Sequence, residues 1–174
     1  MGRAARLAAA AVLAAMTASR TSATGPSPGA PPRLAPCPAS PNCVSSQAAD
    51  EAHRVDPIPF SGDAALALAR MRAVVEAQPR SRVVRSDGLR FAAEFRSSVF
   101  RFVDDVEVAA DPARSLLEIR SASRVGYSDL GVNRRRVESL RAAFAAANAG
   151  TAASAASAAT AAAVEPGKKG SPAP

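Results

Sequence analysis

Residues 81–96 read SRVVRSDGLRFAAEFR, two alternating runs joined by Asp87-Gly88. An Asp-Gly pair between such runs is a strong β-hairpin signal, because a tight turn with the right twist needs the positive φ that glycine takes freely. In the second run Leu89, Phe91, Ala93 and Phe95 face one way, while Arg90, Ala92, Glu94 and Arg96 face the other. That alternation predicts one buried face and one wet face.

The flanking segments extend the pattern. A third strand is predicted over Val99–Val108, with Phe100, Phe102, Val106 and Val108 on its apolar side and Asp104 among them. Asp111-Pro112 marks a turn, and Leu116–Ser123 reads as a fourth strand with Leu117 and Ile119 inward. Ahead of the hairpin, Ser61 is positioned to cap a helix carrying Asp63 in its first turn and Leu66, Arg70, Ala73, Val74 and Ala77 at helical spacing, until Pro79. After the fourth strand, Asn133 is positioned to cap a helix with Val137, Leu140 and Phe144 on one stripe and Gly150 beyond its end. The order helix, four strands, helix predicts an α+β domain: a four-stranded antiparallel meander packed by two helices on one face.

Only the middle of the chain has this character. Residues 21–36 are rich in Pro, Ser and Gly, and residues 149–174 run AGTAASAASAATAAAVEPGKKGSPAP. Neither offers enough apolar surface to offset the entropy of ordering, although alanine favours transient helix in the tail. The expected organisation is a leader at 1–23, a Pro-rich linker at 24–35, one domain at 36–148 and a disordered Ala/Pro-rich tail at 149–174. The leader, MGRAAR then LAAAAVLAAM then TASRTSA, has the basic start, short apolar run and small residues of a secretory signal. Export to a periplasm or the medium is the expectation. The absence of any acid before Asp50 also suits a transit peptide, with a plastid or thylakoid lumen as the alternative. An uncleaved interfacial anchor is a third reading. The apolar run is too short to span a bilayer, so no transmembrane span is expected in the mature chain.

Charge excludes one class of partner. The net charge is +7, but four Arg and no acid lie up to Arg33, while the middle carries 16 Arg against 14 Asp or Glu. A nearly balanced domain with no Trp and one Tyr lacks the basic surface and stacking platforms of a nucleic-acid binder. Cysteine use points to a clip. Cys37 and Cys43 bracket CPASPNC, a tight loop in which an oxidising compartment would close a disulfide. Metal binding fails on ligand count, since His53 is the only histidine and there is no second cysteine pair. No cofactor signature is present: there is no Gly-rich phosphate loop and no haem motif.

The blocks CPASPNCVSS, FRFVDDVEV and RSASRVGYSDLGVNRRRVESLR, in this order, resemble the bacterial and plastid family called domain of unknown function 1499. The resemblance covers residues 36 to about 144 and implies that these blocks define the domain. It implies no activity.

One constellation stands out. Asp104 falls where alternation demands a core residue, and a buried carboxylate needs a cation or several donors. Arg120, Arg124, Arg134, Arg135 and Arg136 are at hand, and the last three occupy a helix first turn, where the dipole disfavours cations. Asp104, Asp105 and Asp129 are the protein's own compensating anions. On one reading, arginines fork onto Asp104 and Asp105 while Ser121, Ser123 and Tyr127 satisfy the SASRVGYSDLG loop. On the other, Asp104, Arg120, Ser123, Arg124, Tyr127, Asp129, Asn133, Arg134, Arg135 and Arg136 border a site for a small anion such as a carboxylate or phosphate.

No catalytic residue is predicted. Asp104 and Asp105 are adjacent on a strand and point to opposite faces. Ser97, Ser98, Ser121 and Ser123 carry no nucleophile signature, and His53 reads as packing or capping. The function that follows is a non-enzymatic binding or accessory domain, with docking of a protein through an exposed sheet edge as the alternative and a hydrolase as the third reading.

Overall fold

The computed structural model describes residues 32–98 and 101–162, with the backbone alone for 151–162. The leader, most of the linker, the far tail, Val99 and Phe100 lie outside the described residues. Eight elements follow in order: β1 (Cys43–Ser45), β2 (Ile58–Pro59), α1 (Ala64–Glu76), β3 (Ser81–Asp87), β4 (Arg90–Arg96), β5 (Val103–Asp111), β6 (Leu116–Ser123) and α2 (Val132–Ala162).

The α+β class holds, but the sheet has six strands rather than four. Strands β3 to β6 form the predicted antiparallel meander, and β1 and β2 both pair antiparallel with the outer side of β6. Cys43 pairs in register with Ala122, and Ile58 with Leu117. Strands of three and two residues are too short to show a period, so the sequence offered no sign of them. They close the β6 edge, whereas β3 carries no further strand among the described residues. Strand β3 is also irregular, with a register shift between Val83 and Arg85.

The hairpin turn sits one residue later than its Asp-Gly signal suggests. Asp87 pairs with Arg90, so Gly88 and Leu89 form the two-residue loop, with Gly88 at φ +51. One positive φ at the first central position is the pattern of a type II′ turn. Strand β5 begins at Val103, not Val99, and Phe102 is half exposed instead of facing the core. Asp111 accepts N–H bonds from Ala113 and Arg114 with its carboxylate, fixing the predicted turn.

Both helices cover the same face, over Phe91, Ala93, Phe95, Val106, Val108, Ala110, Leu117 and Ile119. Asp63, not Ser61, caps α1, its carboxylate accepting the Leu66 N–H at 2.8 Å. The buried stripe of α1 is Ala64, Ala67, Leu68, Met71 and Val75, which leaves Leu66 outward. In α2 the predicted stripe of Val137, Leu140 and Phe144 is buried. The helix does not stop before Gly150 but runs on to Ala162, where alanine's propensity favours continuation.

The opposite face is less wet than alternation implied. Residues 32–36 cross it: Arg90 donates to the Arg33 carbonyl, Arg120 to the Pro36 carbonyl, and Gln47 bonds both Pro32 and Leu34. Glu118 is buried there, accepting from Arg114 at 2.9 Å and from Ser46 at 2.5 Å. Cys37 and Cys43 form the expected disulfide, with Cα atoms 5.6 Å apart.

Candidate functional site

Strand alternation places Asp104 on the helix-covered face, and the residue is 7% exposed. It sits in register between Phe95 of β4 and Ser123 of β6. The cation comes from the first turn of α2: Arg136 donates to Asp104 at 2.5 Å. The same guanidinium donates to Asn133 Oδ1 at 2.6 Å and to Ser121 Oγ at 3.0 Å, and lies 4.9 Å above the Phe95 ring centroid. One arginine thus combines a charge-assisted bond, two neutral acceptors and a ring face.

Asn133 is the hub of this layer and is fully buried. Its amide donates to the Asn42 carbonyl and to Ser123 Oγ, both at 2.9 Å, and accepts from Ser121 and Arg136. Two donors and two acceptors are the full capacity of an asparagine amide, so the side chain is saturated. Asn133 does not cap the helix. Asp129 does so from the preceding loop, accepting the N–H groups of Gly131 at 2.9 Å and Asn133 at 2.7 Å. Burial opposes the charge on Asp129, but the Asn133 and Gly131 N–H groups outweigh it and hold the carboxyl below its ordinary range.

A second cluster lies on the other face. Arg124, just past β6, forks onto Asp105 at 2.9 and 2.7 Å and reaches Glu94 at 2.7 Å. Arg96 and Arg82 also bond Glu94, at 3.2 and 3.5 Å. Asp105 first and Glu94 second raise the Arg124 pKa, and the Arg124 bond holds Glu94 below its ordinary value. Arg120 donates to Glu107 at 3.1 Å, and its Nε is buried without a partner among the described residues.

The remaining candidates belong to the β6–α2 loop and the start of α2. Arg134 donates to the carbonyls of Arg54 and Ala52 at 2.7 and 2.8 Å, and Arg135 to the Leu130 carbonyl at 2.9 Å. Tyr127 is 77% exposed. The ten candidates therefore divide: Asp104, Ser123, Asn133 and Arg136 form one buried network; Arg120 and Arg124 hold carboxylates on the opposite face; Tyr127, Asp129, Arg134 and Arg135 belong to the loop and helix start. Ser121 completes the first group. Asn42, Glu94 and Glu107 are working partners that sequence reasoning overlooked. Of these, only Asn42 carried a signal, as a turn-forming residue in PNC.

His53 anchors the segment after β1. Its two ring nitrogens face the Asp50 carboxylate at 2.6 Å and the Ser40 carbonyl at 3.1 Å. Both neighbours only accept, so the arrangement is complete when both nitrogens carry protons. The Ser40 bond, then Asp50, raise the imidazole above its ordinary 6.5, and the His53 bond lowers Asp50.

Beside the buried network is a cleft of 170 Å³ lined by Gln78, Pro79, Phe95, Arg136, Ser139 and Leu140. Among the described residues no group of His, Cys, Asp or Glu is arranged to hold a metal ion, and no helix is long and apolar enough to cross a membrane.

A family model, described as "Protein of unknown function (DUF1499)", matches residues 33–144. No curated protein and no solved structure matches the chain.

Proposed function

The chain belongs to the DUF1499 family, and from that premise we propose that it is an exported, non-enzymatic binding or accessory domain that engages its partner through the loop end of the sheet. The observation that carries this reading is the contrast between the two parts of the polar block. Arg120, Arg124 and Arg136 each already hold a carboxylate, and Asn133 is saturated. Apart from the unpartnered Nε of Arg120, the donors of that part are spent on holding strands and helix together. The loop end is the opposite: Tyr127 and Leu130 are 77% and 84% exposed, and Arg135 beside them is bound only to the Leu130 carbonyl. Exposed apolar groups beside arginines lacking carboxylate partners are what recognition surfaces keep available.

Export is supported by the leader and by the disulfide, which persists in oxidising compartments. Recognition of a small anion rests on Arg134 and Arg135, the two candidate arginines bound only to carbonyls. Docking through a sheet edge has less support: β1 and β2 cover β6, and β3 carries Arg82, Arg85 and a register shift, features that discourage strand addition.

A photo-crosslinking residue at position 127, compared with one at position 85 on β3, tests the reading in the producing cell. Adducts from 127 alone support it. Adducts from 85 alone, or from neither, overturn it. Recovery of the chain in the cytosol with residues 1–23 intact would remove export.

A further inference from the structure

Eight large apolar residues are exposed among the described residues, and five of them, Phe102, Val125, Tyr127, Leu130 and Val132, lie at one end of the molecule. The topology gathers them. The β4–β5 connection, the β6–α2 loop and the start of α2 all lie where β4 and β6 end and β5 begins. The Arg124 N–H donates to the Val103 carbonyl at 3.1 Å, and Asn42 donates to the Gly126 carbonyl at 2.5 Å, so the loop is held against the sheet at its root. A rooted loop with a bare apolar tip is a presented surface.

Charge at this end is one-sided. Arg80, Arg101 and Arg135 form no ion pair among the described residues. Arg135 folds back on the Leu130 carbonyl, directly beside the most exposed apolar side chain. The carboxylates nearby are already engaged: Asp105 and Glu94 by Arg124, Asp104 by Arg136, and Asp129 by the N–H groups that open α2. What remains is an apolar tip with an arginine rim. A protein pocket would have to supply apolar depth for the tip and carboxylates of its own around it. A surface that is apolar at depth and anionic at its face accepts both at once.

We infer that the loop end docks on an anionic phospholipid bilayer, with Val125, Tyr127 and Leu130 entering the headgroup–acyl boundary and Arg101 and Arg135 meeting lipid phosphates. This rests on the proposed use of the loop end and names its partner. Tyrosine sits well at such a boundary, its ring in the apolar layer and its hydroxyl in the wet one.

Tyr127 supplies the test, because it is the only tyrosine and there is no tryptophan. Its emission in the full chain reports position 127 whatever the leader does. Vesicles of phosphatidylglycerol with brominated acyl chains are expected to quench it, and brominated phosphatidylcholine vesicles are not. Leu130→Ser is expected to weaken binding about tenfold, the equivalent of ~1.4 kcal/mol of lost apolar burial. Arg135→Gln is expected to weaken it several-fold and to flatten its salt dependence. Equal quenching by both lipids, or quenching that neither substitution reduces, overturns the inference. No quenching, with protein adducts still forming from position 127, overturns the lipid partner and leaves the loop end as a recognition surface. No quenching and no adducts removes both.

Discussion

Arg136 and Asp104 meet across the helix–sheet interface at 2.5 Å, with side chains only 14% and 10% exposed. The pair joins the N-terminal part of α2 to the start of β5. It is screened little by solvent, and Arg136 has two further acceptors in Ser121 and Asn133.

Removing the cation alone should therefore be costly. Arg136→Ala leaves Asp104 buried without its counter-charge, and the expected loss is roughly 3–5 kcal/mol in urea unfolding. The paired change Arg136→Met with Asp104→Leu should recover much of that loss, since it removes both charges. Arg124→Ala should cost less than Arg136→Ala, because Arg124 is half exposed and water can solvate the acids it leaves.

Asn133→Ala should destabilise by about 2–3 kcal/mol, because the Asn42 carbonyl and the Ser121 and Ser123 hydroxyls lose a buried partner together. A loss below about 0.5 kcal/mol in the same unfolding assay would mean that water replaces the amide and that the hub is not structural.

The His53–Asp50 contact sets a pH window. The folded imidazole titrates above 6.5, so its contribution is complete below that value and fades as pH rises through the folded one. Asp50 is lowered from 3.8, so its share is present above that value and is lost as pH falls through the folded one. Melting temperatures of the parent and His53→Gln should differ most below pH 6.5 and converge as pH rises through the folded imidazole's titration. A constant difference across that range would sink the charged-imidazole account.

Replacing Cys37 and Cys43 by serine should cost about 2 kcal/mol, the small value expected of a short loop. Intact mass before and after reduction should differ by two hydrogens. A loss well above that would show that the clip also fixes residues 32–36 against the sheet.

The meander and the α2 stripe were legible because their apolar residues repeat over many positions. Asp104 was also legible, as a polar residue in a core phase. Its partner was not singled out among five arginines, yet α2 decides the matter by phase. Stepping back from Phe144, Leu140 and Val137 along the buried stripe leads to Asn133, with Arg136 flanking it, and turns Arg134 and Arg135 away. Extending the stripe one turn towards its start would have found the pair. Strands β1 and β2 had no such cue. Their place is fixed by β6, far along the chain, and by contacts such as the Ser45 N–H to the His53 carbonyl.

That distance has a kinetic meaning. During synthesis β1 leaves the ribosome about eighty residues ahead of Ala122, the register partner of Cys43. The edge it closes does not exist until β6 has emerged, and Asn42 gains Asn133 only later still. The first of these strands made is thus among the last to settle, and a chain halted before β6 leaves both β1 and the β6-facing side of β5 without a partner strand. Such long-range closure is slow, and any chain halted before it is complete is open to pairing with a neighbour.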